Sequence, residues 1–226
     1  MRVVVCNRLT EYLGIEIVSA LLKSAGHEVA LVFEPDLLTA AFVRALPEGL
    51  RRSLDSVDRA ARRVLAEDPD VVLFPSEINS FDWCARVGAR VKSTRPDVLL
   101  VHGGFHVTSS PEECIARDGV DVLCIGEGDE ALPELVAARE AGRDLRDIRN
   151  LWVKEPNGTI HRNAPRPLIA DLDSLPYPDK ALYYDAMPGL AREYMCVASR
   201  GCHWACSFCF YTTLYDVYGR EGFVRA

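Results

Sequence analysis

Three cysteines near the end of this 226-residue sequence stand closest to chemistry. Cys202, Cys206 and Cys209 lie in the run Ser199-Arg200-Gly201-Cys202-His203-Trp204-Ala205-Cys206-Ser207-Phe208-Cys209-Phe210. Thiolates spaced four and three residues apart in one loop can converge on a single soft-metal centre. A [4Fe-4S] cluster held by three thiolates keeps one iron free of protein, where a small molecule can bind and react. Zinc is the alternative. Structural zinc sites close with four ligands, normally as two separated pairs, and His203 would be a cramped fourth ligand inside this loop. The spacing favours the cluster.

The other five cysteines, Cys6, Cys84, Cys114, Cys124 and Cys196, have core-like neighbours and are expected to be buried, inert thiols. The N-terminus Met1-Arg2-Val3-Val4-Val5-Cys6 reads as a first strand, not as an export signal. Eight cysteines without such a signal point to a reducing, cytoplasmic compartment and away from a disulfide framework. Apolar residues make up 49% and charged residues 26%, the balance of a globular protein, and no apolar run reaches membrane-spanning length. A formal charge of −7 argues against a broad nucleic-acid surface, which needs a basic face. A small-molecule substrate is expected, with neither nucleic acid nor membrane as a partner.

The elements that must position the loop follow from periodicity. Short apolar runs at 2–6, 28–33, 71–74, 98–102 and 122–125 read as strands. Helix-period segments separate them at 13–25, 54–67 and 81–92, and a last helix is expected over 131–141. Gly26-His27 stops the first helix, and residues 34–50 form an irregular, proline-punctuated region. Strands alternating with helices predict a doubly wound, flavodoxin-like parallel sheet over residues 1–145, with ligands beyond the carboxyl ends of the strands. Asn157-Gly158 between 151–154 and 159–162 marks a hairpin. A proline-rich linker carries the chain to residue 192, making 146–192 a connecting segment. Residues 192–199 read as one more strand feeding the cysteine loop, so that 193–226 opens a further unit.

The cysteine loop, with Phe208 before its third cysteine, resembles the cluster loop of the radical S-adenosylmethionine superfamily. Tyr218-Gly219-Arg220 and Val224-Arg225 resemble what trails that loop in members with a cobalamin-binding domain. The N-terminal part resembles that cobalamin-binding domain. The likeness lies in Glu11-Tyr12-Leu13-Gly14-Ile15-Glu16, in Gly103-Gly104-Phe105-His106-Val107-Thr108, and in Val120 through Leu132 with its Gly126-Glu127-Gly128-Asp129-Glu130 turn. With Leu175-Pro176-Tyr177-Pro178 of the linker, the resemblance covers nearly the whole chain.

The resemblance implies a [4Fe-4S] cluster on Cys202, Cys206 and Cys209, whose open iron binds S-adenosylmethionine and reductively cleaves it to a 5′-deoxyadenosyl radical. It implies cobalamin at the carboxyl edge of the sheet, near Tyr12, Leu13, Ser76, Gly103, Gly104, His106, Gly126 and Glu127, with Phe208 beside the cluster. No histidine stands in residues 7–14, where some cobalamin domains carry a lower cobalt ligand, so cobalamin would bind without one. Gly104→Trp is expected to fill the ligand's space and spare the fold. A flavodoxin- or ferredoxin-type reductant and a small-molecule substrate would be the partners. Only 17 residues follow Cys209, too few for the remaining strand–helix units of a radical barrel, so the resemblance implies the N-terminal part of a longer enzyme. Its chemistry would be methyl transfer or a cyclisation or rearrangement, and no catalytic residue is assigned. Two other readings are a free-standing cobalamin-binding module and a methylthiotransferase-like enzyme with two clusters.

Overall fold

A computed structural model describes residues 1–8, 10–34 and 56–226. Its centre is a seven-stranded sheet in the order β2-β1-β3-β4-β5-β6-β7. The strands are β1 (Arg2–Arg8), β2 (Glu28–Glu34), β3 (Val71–Pro75), β4 (Leu99–Gly103), β5 (Val122–Cys124), β6 (Leu151–Lys154) and β7 (Ile160–Arg162). The first five pair in parallel, and the 2-1-3-4-5 order is that of a flavodoxin-like sheet, as the alternation predicts. The Asn157-Gly158 hairpin does more than connect. β6 lies antiparallel against β5 and β7 against β6, so the hairpin extends the sheet at its edge.

Helices cover both faces: α1 (Leu13–Ser24), α2 (Val57–Ala66), α3 (Phe81–Thr94) and α6 (Ala131–Glu140). Short helices α4 (Phe105–Ser109) and α5 (Pro111–Ile115) follow β4, while α7 (Ala181–Tyr184) and α8 (Tyr211–Tyr218) lie in the C-terminal part. Side chains alternate along each strand. Val3, Val5 and Leu73 therefore join Ile15, Val18 and Leu22 of α1 and Leu135 of α6 in one core. Val4, Cys6, Val72 and Phe74 join Ala60 and Val64 of α2 and Val87 and Val91 of α3 in the other. Such near-continuous apolar strands belong to a parallel sheet buried on both faces. The irregular region expected over 34–50 and the first turn of the helix expected over 54–67 lie largely outside the described residues. Among the described residues no helix is long and apolar enough to cross a membrane.

Two expectations are corrected. Residues 192–199 form no strand: an extended segment becomes one only beside a ladder partner, and the pairing that follows it is an isolated bridge between Arg200 and Arg225. Cys196 lies on that segment and is exposed instead of core-packed. Cys6, Cys84, Cys114 and Cys124 are buried as expected, and burial pushes the thiols of Cys84 and Cys124 up to about 12 and that of Cys114 to about 11.

The proline-rich segment is pinned to α1 by charge. Lys180 Nζ lies 2.6 Å from Glu11 Oε1 and 2.9 Å from Glu16 Oε2, with both carboxylates buried. Asp179 takes Lys23 Nζ and Ser19 Oγ, each at 2.6 Å. Asn7 Nδ2 donates to the hydroxyl of the fully buried Tyr183 at 2.9 Å. One lysine faces two buried carboxylates, so ionising both would leave an uncompensated negative charge. Burial and then Glu11 push the Glu16 carboxyl up to about 7, against the pull of Lys180. A raised folded-state value means the native protein holds the proton more tightly, so this stabilisation is complete in acid and is lost as pH rises to about 7. Glu16→Gln should remove roughly 1–3 kcal/mol of the stability lost between about pH 5 and about pH 8, measured as the pH dependence of the urea unfolding midpoint.

Candidate functional site

Because β1, β3, β4 and β5 run parallel, their carboxyl ends fall on one edge, and the loops that follow carry most of the residues singled out from sequence. One close contact there is backbone on backbone. Ser76 N donates to Gly103 O at 2.7 Å, and a Cβ on Gly104 would lie 2.9 Å from Ser76 O. Gly104 has φ +119° and ψ −175°, a conformation essentially confined to glycine. This bare, exposed backbone is a cradle that a side chain would fill.

Beneath it the polar groups are satisfied internally. Ser76 is buried, and its Oγ lies 3.0 Å from His102 Nδ1. His102 Nε2 lies 3.0 Å from Gly119 O, which assigns the proton to Nε2 and leaves Nδ1 to accept from Ser76. Burial lowers the His102 imidazole to about 4, so it is neutral, stacked on Phe74 at 4.5 Å between ring centroids. The Ser76 hydroxyl is thus committed to the protein, and only the backbone of this residue is offered to the edge. Thr108 Oγ1 donates to Gly104 O at 3.0 Å and accepts from Gly126 N at 2.9 Å, tying the loops after β4 and β5 together.

Tyr12 caps α1, its carbonyl accepting from Ile15 N and Glu16 N, with Leu13 half-buried beside it. The Tyr12 hydroxyl is buried without a hydrogen-bond partner, the kind of orphan a polar ligand group would satisfy. Burial, then Glu77, raises its pKa, so it remains a neutral donor. His106 is half-buried, its ring edge-on to Phe81 at 5.1 Å.

Two of the expected cofactor neighbours also meet protein. Gly126 faces the helix that follows the cysteine loop: a Cβ there would lie 1.6 Å from Tyr218 Oη. The Glu127 carboxylate, expected beside a cofactor, is clasped by Arg225 at 2.7 and 3.0 Å and approached by Arg200 at 3.3 Å. Burial pushes that carboxyl up, but the two guanidiniums hold it below the usual glutamate range. The acidic turn meets protein because the chain returns to it from residues 200–225, a long-range contact that no local pattern signals. Asp129, Arg200 and Arg225 were missed for the same reason.

The cysteine loop hangs from this region. Cys202 and Cys209 are half-buried and Cys206 exposed, and all three thiols are free. Cys202 O accepts from Tyr215 Oη, and Cys206 O accepts from Cys209 N at 3.0 Å. Among the described residues no group of His, Cys, Asp or Glu side chains is gathered as a metal site, so the three thiols are not drawn into a tripod. Their chemistry still fits an iron–sulfur cluster: three soft donors in eight residues, with no acidic side chain between them. Phe208 is 91% exposed on the loop. What joins loop to edge is aromatic. Phe105, directly after Gly104, lies 4.1 Å from Phe210, directly after Cys209, and Phe210 continues onto Tyr211 at 4.8 Å and Tyr211 onto Phe223 at 5.9 Å.

Comparison with known proteins bears on the family and the fold. The B12 binding domain family matches residues 3–136. The chain belongs to that family. An uncharacterised methyltransferase of Pyrococcus horikoshii is 33% identical over 174 residues, 72% of this chain and 36% of the relative. The cobalamin-dependent radical SAM methyltransferase TokK of Streptomyces tokunonensis is 28% identical over 214 residues, 89% of this chain and 29% of TokK. An anaerobic magnesium-protoporphyrin IX monomethyl ester cyclase of Rubrivivax gelatinosus is 27% identical over 162 residues, 68% of this chain and 29% of the cyclase. The chain therefore spans about a third of these relatives. The same fold occurs in the radical S-adenosylmethionine methyltransferase TsrM from Kitasatospora setae, solved with cobalamin and a [4Fe-4S] cluster. Its TM-score is 0.65 at 17% identity, over 97% of this chain and 43% of TsrM. OxsB, solved with aqua-cobalamin and S-adenosylmethionine, gives a TM-score of 0.67 at 17% identity, over 92% of this chain and 28% of OxsB.

Within this B12-binding domain the backbone of Gly104 limits what mutation can test. Gly104→Trp was expected to spare the fold, but any Cβ at φ +119° strains the backbone against Ser76. Gly104→Ala should lower the melting temperature by roughly 3–10 °C. Gly103→Ala, whose Cβ would sit 3.5 Å from that of Cys124, at ordinary contact, should shift it by less than about 2 °C. Differential scanning calorimetry of the two variants checks both.

Proposed function

We propose that the chain is the cofactor-binding portion of a cobalamin-dependent radical S-adenosylmethionine enzyme that transfers a methyl group to a small-molecule substrate. One observation carries the reading: the tilted contact of Phe105 with Phe210, 4.1 Å between ring centroids, sets the three-cysteine loop beside the glycine edge of a B12-binding domain. The two cofactors of such an enzyme must meet in one cavity, and here their expected sites are neighbours.

In this reading Gly103 and Gly104 present bare backbone to the flat face of cobalamin, the Tyr12 hydroxyl donates to one of its polar substituents, and Leu13 and His106 border it. Cys202, Cys206 and Cys209 hold the [4Fe-4S] cluster, with exposed Phe208 beside it. When bound, the cluster would deliver an electron to S-adenosylmethionine, and cobalamin would carry the methyl group. A flavodoxin- or ferredoxin-type protein would supply the electron. The cyclase relative favours a second reading, ring formation on the same cofactors. Buried Cys6 in mid-strand is a poor ligand for a second cluster.

Anaerobic reconstitution should load about four irons per chain, and Cys202→Ala should load less than about one while leaving corrinoid affinity within about twofold. Iron analysis and spectrophotometric titration with hydroxocobalamin read the two quantities. About eight irons would replace this reading with a two-cluster enzyme. Tight corrinoid binding with no iron in the unaltered chain would replace it with a binding module.

A further inference from the structure

The Gly126-Glu127-Gly128-Asp129 turn does not face the sheet's open edge alone. It receives the chain that comes back from the cysteine loop. Arg200 and Arg225 flank that loop and its following helix, and their backbones exchange two hydrogen bonds, Arg200 N to Arg225 O at 2.8 Å and Arg225 N to Arg200 O at 2.9 Å. The bridge ties the two ends of a single unit that contains Cys202, Cys206, Cys209 and α8. Both guanidiniums then point the same way. Arg200 grips Asp129 through both nitrogens at 2.8 and 2.9 Å, and Arg225 grips Glu127 at 2.7 and 3.0 Å. Arg225 also donates to Ile169 O at 2.8 Å, bringing the linker into the same contact. Tyr218 completes it, its hydroxyl accepting from Glu127 N at 3.0 Å in the notch left by Gly126.

Several features separate this cluster from ordinary surface ion pairs. Asp129 and Arg225 are only 6% and 7% exposed in their side chains. Two acids meet two guanidiniums, so the group is neutral as a whole. Each principal contact is bidentate, which fixes direction as well as distance. Such forks hold a plane against a plane, whereas the aromatic seam from Phe105 to Phe223 tolerates sliding. We propose that Glu127 and Asp129 form a latch for Arg200 and Arg225, and that these four are positioning residues holding the cysteine loop at a set angle over the glycine edge. The latch itself is independent of any cofactor, while its consequence for the cluster rests on the function proposed above.

Hydrogen–deuterium exchange on the full chain tests the latch without cofactors. In Glu127→Gln/Asp129→Asn, amides of residues 199–226 should exchange at least about tenfold faster, while those of β1, β3 and β4 keep their wild-type rates. The charge swap Asp129→Arg/Arg200→Asp should recover part of the protection. The reconstituted cluster should be lost to an iron chelator several-fold faster in the double variant than in wild type. Unchanged exchange in 199–226 overturns the proposal. So does a rise spread equally through the parallel sheet, which would make the acids simple supports of β5. A wild-type chain that shows the latch in exchange but takes up no iron would overturn the proposed function and leave the latch standing.

Discussion

The parallel pairing of β1, β3, β4 and β5 is the constraint from which the rest of the molecule follows. Parallel strands send every crossover to the opposite end, so the loops that leave their carboxyl ends are crowded onto one edge. Between β3 and β4 the crowding brings Ser76 and Gly104 together through backbone atoms. A polar layer stabilises that contact from below. Gly119 fixes the His102 tautomer, His102 holds the Ser76 hydroxyl, and Thr108 bridges Gly104 and Gly126. Because these groups satisfy one another, the edge above them is bare backbone, suited to a large flat ligand.

Charge handles what apolar packing cannot. Burial of Val, Leu and Ile brings helices onto the sheet but does not specify angles. The linker and the C-terminal unit, which bury Tyr183 and Phe223 respectively, are also docked by ion pairs. Lys180 joins the linker to Glu11 and Glu16 at one end of the edge, and Arg200 and Arg225 join the C-terminal unit to Glu127 and Asp129 at the other. The first group carries one more acid than base and so titrates. The second is balanced. Buried charges of this kind are costly to leave unpaired, which makes each docking geometry hard to replace with another.

Between these clasps the cysteine loop meets the glycine edge. A loop of three thiols and an edge of bare glycine backbone are each modest signals. Their meeting through Phe105 and Phe210 is a stronger one, because nothing in either segment alone requires it. Membership in the B12 binding domain family makes a corrinoid the ligand class proposed for the edge, and the cysteine loop lies beside it.

Much was determined by the sequence alone. Short apolar runs settled the five parallel strands, the 3.6-residue period settled the helices α1 and α3, and Asn157-Gly158 settled the hairpin turn, since all depend on neighbours a few residues apart. The cysteine spacing announced soft-metal chemistry for the same reason. Tertiary structure decided where the segments between and after those elements go. Residues 192–199 have strand-like composition but find no ladder partner, and Cys196 is exposed with them. Glu127 reads as a ligand-facing acid until Arg225, 98 positions away, takes both its oxygens. Ser76 is expected near the cofactor, and only the fold shows that its hydroxyl lies 3.0 Å from His102 Nδ1. In each case the deciding partner is remote in sequence, and a polar group's role depends on which partner arrives, not on the residues beside it.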